Sequence, residues 1–417
     1  MSNAAKGFFA IALALAWAFG GRRPEPEVLD LLGIFGSSVR RAPKAVNAWQ
    51  PGQSPSLFGA RVARSASMSE IGKRKDDHLD LAARGDVGVH QTAPLFEAIR
   101  FVHDALPELC ADEIDTSQKV LGKVLRAPIL IAGMTGGTDR ARAINQELAK
   151  LAQARGYAFG LGSQRAMHKD ATVGESYQVR DVAPDVLLFG NVGLVQAARM
   201  PSEEVAELAR AVGADAMCLH LNPAQEAVQP GGDRDFRDGI SSITRLVRDL
   251  SVPVVVKETG CGISSMVARR LRGAGVRHVD VSGAGGTSWV AVETQRAEAS
   301  KRGLGETFWE WGIPTAASVA LCSGHGFDTI FATGGVTTGL DVAKAIALGA
   351  HAAGLARPVL KALESGGAAE ANALFDRIEA ELCTAMLLVG AKDLEALRRA
   401  PRVVSAELSA WTSQAGG

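Results

Sequence analysis

Residues 127–161 read APILIAGMTGGTDRARAINQELAKLAQARGYAFGL, and this stretch sets the pattern for most of the chain. An apolar run at 128–132 is followed by a glycine-rich turn and by a stretch, 140–155, whose apolar residues recur at spacings of three and four. The run predicts a buried strand, and the spacing predicts an amphipathic helix. Because a second apolar run follows at 157–161, the stretch reads as one strand–helix–strand unit of a parallel sheet.

The same alternation recurs along the chain. Apolar runs predict strands at 128–132, 157–161, 186–190, 215–220, 253–257, 278–282, 329–333 and 352–355. Helical stretches lie between them, among them 140–155, 202–212, 236–250, 264–272 and 340–348. Eight parallel strands close a (β/α)8 barrel of about 250 residues, so we predict an α/β fold with a TIM barrel at 127–417. A doubly wound sheet is the alternative, although no G-x-G-x-x-G follows the first strand.

The composition is that of a globular protein with a large core. Of 417 residues, 47% are hydrophobic and 22% are charged, and 45 Lys and Arg balance 45 Asp and Glu. This balance disfavours collagen-like, disordered and nucleic-acid-binding proteins, but it leaves room for a small basic cluster that binds a phosphorylated ligand. The 5 cysteines include no Cys-x-x-Cys pair, which disfavours a disulfide framework or a structural zinc site. We therefore expect a cytoplasmic protein.

The residues before Met68 differ from the rest. Residues 7–20 form an apolar run that is shorter than the about 20 residues of a membrane span, and the proline-containing stretch after it resembles a linker. We interpret 1–67 as a poorly ordered or dispensable N-terminal extension and expect no membrane association. A targeting or anchoring segment and a structured segment are the alternatives.

Polar residues and glycines follow nearly every predicted strand. In a TIM barrel these positions meet at one face and form the active site, although turn formation explains any single one of them. Gly334-Gly335 and Gly354-Leu355-Ala356-Arg357 each open a helix at the last two strand ends, where free backbone amides favour a phosphate. Together they fit FMN better than a dinucleotide. Lys257 ends a strand and either stabilises negative charge on a reduced flavin or serves only as a salt-bridge partner.

Several motifs together resemble one family. They are Lys73-Arg74-Lys75-Asp76-Asp77-His78, Ala132-Gly133-Met134-Thr135-Gly136-Gly137, Gly160-Leu161-Gly162-Ser163-Gln164-Arg165, His220-Leu221-Asn222-Pro223-Ala224-Gln225-Glu226, Gly283-Ala284-Gly285-Gly286-Thr287-Ser288 and Ala345-Ile346-Ala347-Leu348-Gly349-Ala350. In this order, from Met68 to Gly390, the chain resembles the type 2 isopentenyl-diphosphate δ-isomerase family, which consists of FMN enzymes on a TIM barrel. The His-x-Asn-x-x-Gln-Glu element is specific to that family among flavin barrels.

The resemblance implies that the protein interconverts isopentenyl and dimethylallyl diphosphate in isoprenoid biosynthesis. An alkene has no carbonyl to polarise, so the reaction needs a positioned acid, a base and an electron-rich neighbour for the developing cation. The implied cofactors are FMN in its reduced form, NADPH as the flavin reductant and Mg²⁺. Gln225 resembles the family's catalytic, substrate-facing residue, although a neutral amide is a poor base and an orienting role beside the flavin is the alternative. Glu226 resembles the Mg²⁺ ligand.

The resemblance also implies the remaining contacts. In the N-terminal segment 68–126, Arg74 and Lys75 resemble a clamp for the substrate's diphosphate. The other implied substrate contacts are Ser163, Gln164, Arg165, His220, Asn222 and Gln225. The implied FMN contacts are Gly133, Met134, Thr135, Ser163, Asn191, Lys257, Thr287, Gly335, Val336, Thr337, Ala356 and Arg357. The chain departs from the family at Thr337, where an arginine is frequent, and Arg357 is the candidate to compensate.

Two other functions stay open on the sequence alone. An FMN-dependent 2-hydroxy-acid oxidase on the same barrel needs a catalytic histidine after a late strand, and the candidate, His325, precedes the seventh strand instead. A non-catalytic prenyl-diphosphate binding protein is the second alternative, and the intact Gln225 and Glu226 disfavour it. The expected partners are the small-molecule substrate and further copies of this chain in a homo-oligomer, with no nucleic acid.

Overall fold

The computed structural model describes residues 70–413, with side chains from Gly72 onward. The predicted extension at 1–67 lies outside the described residues, as does Met68. In the part of the chain that is described, no helix is both long enough and apolar enough to cross a membrane.

Eight parallel strands form a closed barrel, so the predicted TIM barrel is confirmed. In chain order they are β1 (Ile129–Ile131), β2 (Ala158–Gly160), β3 (Leu187–Gly193), β4 (Ala216–Leu221), β5 (Val254–Glu258), β6 (His278–Asp280), β7 (Thr329–Thr333) and β8 (Ala352–Leu355). β7 and β8 match the predicted bounds, and the other six differ from them by three residues or fewer at either end. The barrel closes where β8 pairs with β1, with Ala353 opposite Ile129.

Helices follow the strands and cover the outside of the barrel. The five predicted helices are present as Asp139–Arg155, Ser202–Ala211, Gly239–Asp249, Ser265–Gly273 and Gly339–Ala347. The other α-helices are Glu70–Arg84, Arg165–Lys169, Leu194–Ala198, Pro223–Val228, Trp289–Arg296, Arg302–Thr307, Thr315–Ser323, Arg357–Leu387, Leu394–Arg399 and Ala406–Ser413, and the 3-10 helices are Ala111–Glu113, Ala171–Tyr177 and Ala299–Lys301. The helix that begins at Arg357 is kinked at Gly367, which has a φ of 67°. Glycine adopts this backbone conformation without a steric penalty.

The barrel strands are buried on both faces. Every residue of β1, β3 and β7 is buried, which is why the sequence shows continuous apolar runs instead of alternation. Phe189 and Phe331 meet edge to face inside the barrel, with ring centroids 5.4 Å apart. A larger apolar layer lies between the strands and the helices.

An antiparallel hairpin closes one end of the barrel. Its strands, Gln118–Val120 and Lys123–Leu125, contribute Val120 and Leu125 to the apolar cluster inside the barrel. Lys123 Nζ pairs with Asp215 Oδ2 at 2.9 Å, directly before β4 begins. The hairpin therefore plugs the amino-terminal end, and the main cavity opens at the carboxyl end. A second antiparallel pair, Ile99–Phe101 with Arg402–Val404, joins the segments before and after the barrel.

The helix Glu70–Arg84, called the clamp helix below, lies at the carboxyl end of the barrel. The sequence indicated a motif in this segment but no secondary structure. Arg140, in the helix after β1, pairs with Asp80 of the clamp helix at 2.7 Å and also with Glu364, in the helix after β8. Because β1 and β8 are neighbours, this three-way ion pair holds the clamp helix against one side of the barrel mouth.

Candidate active site

A cavity of about 600 Å³ opens at the carboxyl ends of the strands, next to the clamp helix. Its volume lies within the range of about 300–1,000 Å³ that small-molecule and cofactor sites occupy. The clamp helix and the ends of all eight strands line it. The predicted site residues that line it are Arg74, Lys75, Gly133, Met134, Thr135, Ser163, Arg165, Asn191, His220, Asn222, Gln225, Glu226, Lys257, Thr287, Gly335, Val336, Thr337, Ala356 and Arg357.

Gln164 is the predicted site residue that does not line the cavity. Its side chain is fully buried, accepts a hydrogen bond from the Asn191 backbone amide at 2.9 Å and donates to the Leu208 carbonyl at 2.8 Å. Both groups of the amide are thus satisfied away from the cavity. We correct the predicted substrate contact to a structural role, in which Gln164 ties the loop after β2 to β3.

Lys75 points from the clamp helix into the cavity wall. Its ammonium donates to the Ser163 carbonyl at 2.8 Å and to the Tyr177 hydroxyl at 2.9 Å. Burial, together with the charge of Arg74, lowers the pKa of Lys75 to about 7. An ammonium has three N–H donors, so one is available for an anion in the cavity.

Two arginines, Arg74 and Arg165, add positive charge at the end of the cavity where Lys75 lies, called the cationic end below. Arg74 Nε and Arg165 Nε are buried, and neither has a hydrogen-bond partner among residues 70–413. Burial and the neighbouring Arg165 lower the pKa of Arg74. Buried cationic groups with unused donors are costly unless an anion pairs with them. The arrangement therefore favours an anionic ligand that contacts Arg74, Lys75 and Arg165 together.

His220, at the end of β4, is neutral and has a defined tautomer. Burial and the surrounding cations lower its pKa to about 4. Asn191 Nδ2 donates to the Leu161 carbonyl at 3.1 Å, so Asn191 Oδ1 is the acceptor for His220 Nδ1 at 2.8 Å. The proton consequently sits on Nδ1, and Nε2 is an unprotonated acceptor.

Gln225 and Glu226 are adjacent in the short helix Pro223–Val228 but have different surroundings. Gln225 lines the cavity, and its Oε1 accepts from Asn222 Nδ2 at 3.2 Å. Glu226 is buried, with Oε1 accepting from Asn222 Nδ2 at 3.1 Å and Oε2 accepting from the Asp233 backbone amide at 2.8 Å. The described residues contain no group of three or more His, Cys, Asp or Glu that could hold a metal. A metal at Glu226 would take its other ligands from substrate and water.

Glu293, in the helix Trp289–Arg296, is a site residue that the sequence analysis missed. Its side chain is 0% exposed. Its Oε1 contacts His78 Nε2 at 2.8 Å and accepts from Gln225 Nε2 at 3.3 Å, while Oε2 pairs with Arg296 at 2.6 Å. Burial by itself would raise the pKa of Glu293, but His78 and Arg296 outweigh it and hold the pKa below its usual value. Glu293 is therefore a buried anion that fixes the amide of Gln225.

Gln229 extends this network to the clamp helix. In the orientation that satisfies both of its groups, its nitrogen donates to Glu293 Oε1 at 3.1 Å and its oxygen accepts from Arg74 Nη1 at 3.2 Å. One buried carboxylate thus connects Gln225 with Arg74. No sequence signal pointed to Glu293, because a glutamate in an amphipathic helix is usually exposed.

The loops after β6 and β7 form a backbone cradle in the cavity wall. A Cβ on Gly286 would lie 2.5 Å from the Gly335 nitrogen, and Gly335 has a φ of +72°. Only glycine fits this close approach of two backbones. After β1, Thr135 Oγ1 is buried and has no hydrogen-bond partner within the described part of the chain. A glycine cradle, an unsatisfied hydroxyl and the start of the helix at Arg357 together fit FMN.

Proteins of known family resemble this chain in sequence. The sequence model of the FMN-dependent dehydrogenase family matches residues 201–404. Enzymes named isopentenyl-diphosphate delta-isomerase match along most of the chain. The Halobacterium salinarum enzyme is 46% identical over 348 residues, which cover 82% of this chain and 96% of the relative. The Xanthobacter autotrophicus enzyme is 45% identical over 336 residues, which cover 80% of this chain and 98% of that relative. This chain belongs to the isopentenyl-diphosphate delta-isomerase family.

The FMN-dependent match places it in the type 2 branch of the isomerase family, as the motifs predicted. Solved structures agree on the fold. A mandelate oxidase mutant with a monooxide FMN adduct superimposes with a TM-score of 0.55 at 19% identity, covering 78% of this chain and 95% of the oxidase. At that identity the likeness shows the fold alone.

Arg357 was expected to compensate for the arginine that is missing at Thr337, and its contacts in this isomerase-family chain differ from that expectation. Arg357 lines the cavity, but its Nε donates to the Ala82 carbonyl at 2.9 Å and its Nη2 donates to the Gly85 carbonyl. Its guanidinium is therefore engaged with the end of the clamp helix. Lys361, one helical turn further, lines the cavity too and adds a second basic side chain to its wall. No sequence motif pointed to Lys361.

The oxidase alternative loses its candidate histidine. His325 Nε2 hydrogen-bonds Ser265 Oγ at 2.9 Å and is not part of the cavity wall. The histidine that does line the cavity at a strand end, His220, belongs to the isomerase-family motif. A 2-hydroxy-acid oxidase is therefore not favoured for this member of the family.

Proposed function

We propose that this chain interconverts isopentenyl diphosphate and dimethylallyl diphosphate, with reduced FMN, Mg²⁺ and NADPH as the flavin reductant. The observation that carries this proposal is the set of groups that line one cavity of about 600 Å³. Cationic groups with unused donors and a backbone cradle that fits FMN both belong to its wall, and so does Gln225. Membership of the isomerase family supports the same reaction.

The cationic end holds the diphosphate. Arg74, Lys75 and Arg165 offer three charges to a ligand of charge about −3, and charge-assisted hydrogen bonds of this kind are the strong ones. Glu226 supplies one carboxylate to Mg²⁺, and diphosphate oxygens and water complete its shell, which is how Mg²⁺ is commonly held. Because the diphosphate is anchored, its binding energy positions the five-carbon alkene.

The apolar end of the substrate lies beside Gln225 and the flavin. Reduced FMN, when bound, supplies a proton and an electron-rich face for the developing cation. Gln225 has its amide fixed at both ends, by Asn222 and Glu293. A neutral amide held in this way orients the alkene or relays a proton, and it is a poor base on its own. His220, with its proton on Nδ1, leaves Nε2 as an acceptor for a hydrogen bond from a ligand in the cavity.

The decisive experiment is an anaerobic assay. Purified protein is incubated with FMN, NADPH, Mg²⁺ and isopentenyl diphosphate, and dimethylallyl diphosphate is measured. We expect isomerisation with reduced flavin and none with oxidised FMN in air, because the oxidised ring lacks the proton and the electron density that the alkene requires. An equal rate in air without reductant contradicts the reduced-flavin proposal, and consumption of mandelate or lactate instead of isomerisation would support the oxidase.

The lowered pKa of Lys75 predicts how substrate binding depends on pH. Its pKa of about 7 means that the free protein loses this cation as the pH rises from 7 to 9. We expect kcat/KM for isopentenyl diphosphate to fall over this range, by up to about tenfold per pH unit. Lys75→Arg keeps its charge throughout, so its profile should be flat whatever its absolute rate. Parallel profiles for the two proteins would contradict the clamp role.

We further propose that residues 1–67 are dispensable and that the protein is a cytoplasmic homo-oligomer. Every motif quoted above lies after Met68, and so does every residue that the described part of the chain contributes to the cavity. A protein that starts at Met68 should therefore fold, bind FMN and isomerise at a rate close to that of the full chain. Loss of soluble protein on this truncation would show that residues before Met68 are needed for folding.

A further inference from the structure

Lys257 has a buried counter-ion inside the barrel. Lys257 lies in β5 and Asp280 ends the neighbouring strand β6, and Lys257 Nζ is 3.0 Å from Asp280 Oδ2. The side chain of Asp280 is 3% exposed and that of Lys257 is 12% exposed. Charges this far from water are weakly screened, so each strongly influences the other.

The Lys257 ammonium has no unused donor, and Asp280 accepts from three groups. Lys257 Nζ also donates to the Glu258 carbonyl at 3.0 Å and to Thr333 Oγ1 at 3.3 Å, so its three N–H groups have three partners. Thr333 in turn donates its O–H to Asp280 Oδ1 at 2.6 Å, and the Ser282 amide donates to the same oxygen at 3.2 Å. The network leaves little freedom for the lysine ammonium.

The two residues differ in what they reach. Lys257 lines the main cavity, whereas Asp280 does not. Asp280 instead lines a separate void of about 20 Å³ inside the barrel, together with Lys257, Asn191 and Cys218. Asp280 therefore does not face the main cavity, and Lys257, which lines both voids, connects Asp280 to it.

We propose that Asp280 is a positioning residue that holds the Lys257 ammonium at the flavin site and sets the reduction potential of bound FMN. This inference rests on the proposed function, in which FMN occupies the cavity. Two-electron reduction of a flavin adds electron density to its ring, and a nearby cation stabilises that charge. Asp280 partly cancels the cation and ties it down, so it keeps the potential lower than Lys257 alone would.

The test is the midpoint potential of FMN bound to the Asp280→Asn variant, measured by equilibration with a redox dye of known potential. Asparagine keeps the shape and removes the negative charge. We expect the equilibrium to move about tenfold towards reduced flavin, which is about 30 mV for a two-electron couple. Asp280→Glu, which moves the carboxylate without removing it, should show a smaller shift in the same direction.

Asp215→Asn is the matched control. Asp215 also pairs with a lysine, Lys123, but at the plugged end of the barrel. Its loss should lower stability and leave the flavin potential unchanged. Lys257→Met should shift the potential in the opposite direction. In that background Asp280→Asn should have a smaller effect, because Asp280 is proposed to act on the flavin through the Lys257 ammonium.

The outcomes separate this inference from the proposed function. If the wild-type protein does not bind FMN, the proposed function fails. If it binds FMN and isomerises, but no Asp280 variant that retains flavin shifts the potential, only the role of Asp280 is overturned. Equal shifts in Asp280→Asn and Asp215→Asn would overturn it as well, because the effect would then be one of stability and not of position.

Discussion

Gln225→Ala is expected to lower kcat by about 10² or more, the lower range for a positioned proton-transfer group. The amide lines the cavity and is held by Asn222 and Glu293, so its removal leaves the alkene without its orienting contact. Flavin content and the Mg²⁺ requirement should change little, because neither ligand contacts this side chain in the proposed site. Steady-state rates at saturating Mg²⁺ and isopentenyl diphosphate measure the effect.

Glu226→Gln is the matched variant one residue further along. It removes the carboxylate charge proposed to hold Mg²⁺ against the diphosphate. We expect a much raised Mg²⁺ requirement and a higher KM for substrate, with unchanged flavin content. If the two variants show the same kinetic defect, or if Gln225→Ala keeps a near-normal kcat, the separate roles of these neighbours are wrong.

Glu293→Gln is expected to have the second large effect, on stability. Removing the charge of Glu293 leaves Arg296 with only the half-exposed Asp77, 3.6 Å away, as its partner. Loss of one member of a buried ion pair costs up to about 3–5 kcal/mol, so we expect a loss of stability within that limit. Denaturant unfolding with FMN in excess measures the change in the free energy of unfolding. We also expect a lower kcat at temperatures where the variant is folded, because the amide of Gln225 loses a charged acceptor.

Glu298→Gln provides the control for this loss. Glu298 is 75% exposed and pairs with Lys301 at 3.1 Å on the surface. Exposed pairs contribute about 0–1 kcal/mol, so this variant should resemble the wild type. If Glu293→Gln is as stable and as active as the wild type, Glu293 is not the anion that fixes Gln225 and pairs with Arg296 in the site.

The sequence alone determined the barrel and the end of it at which the main cavity opens. Parallel strands that are buried on both faces require continuous apolar runs, and this signal is local, so all eight strands could be predicted within three residues. The positions directly after the strands must meet at one face once the barrel closes. For that reason it could be predicted without coordinates that Asn191, His220 and Lys257 line one cavity, and their roles in it stay predictions.

Only the tertiary structure decided which partner each side chain meets. Gln164 stands between two cavity residues in a motif, yet its amide turns away to Asn191 and Leu208. Glu293 and Asp280 look like ordinary helix and strand residues, and their importance comes from His78 and Lys257, which belong to other elements. Local periodicity reports which face of an element is buried. It carries no information on contacts between residues far apart in sequence, because those depend on how the elements pack.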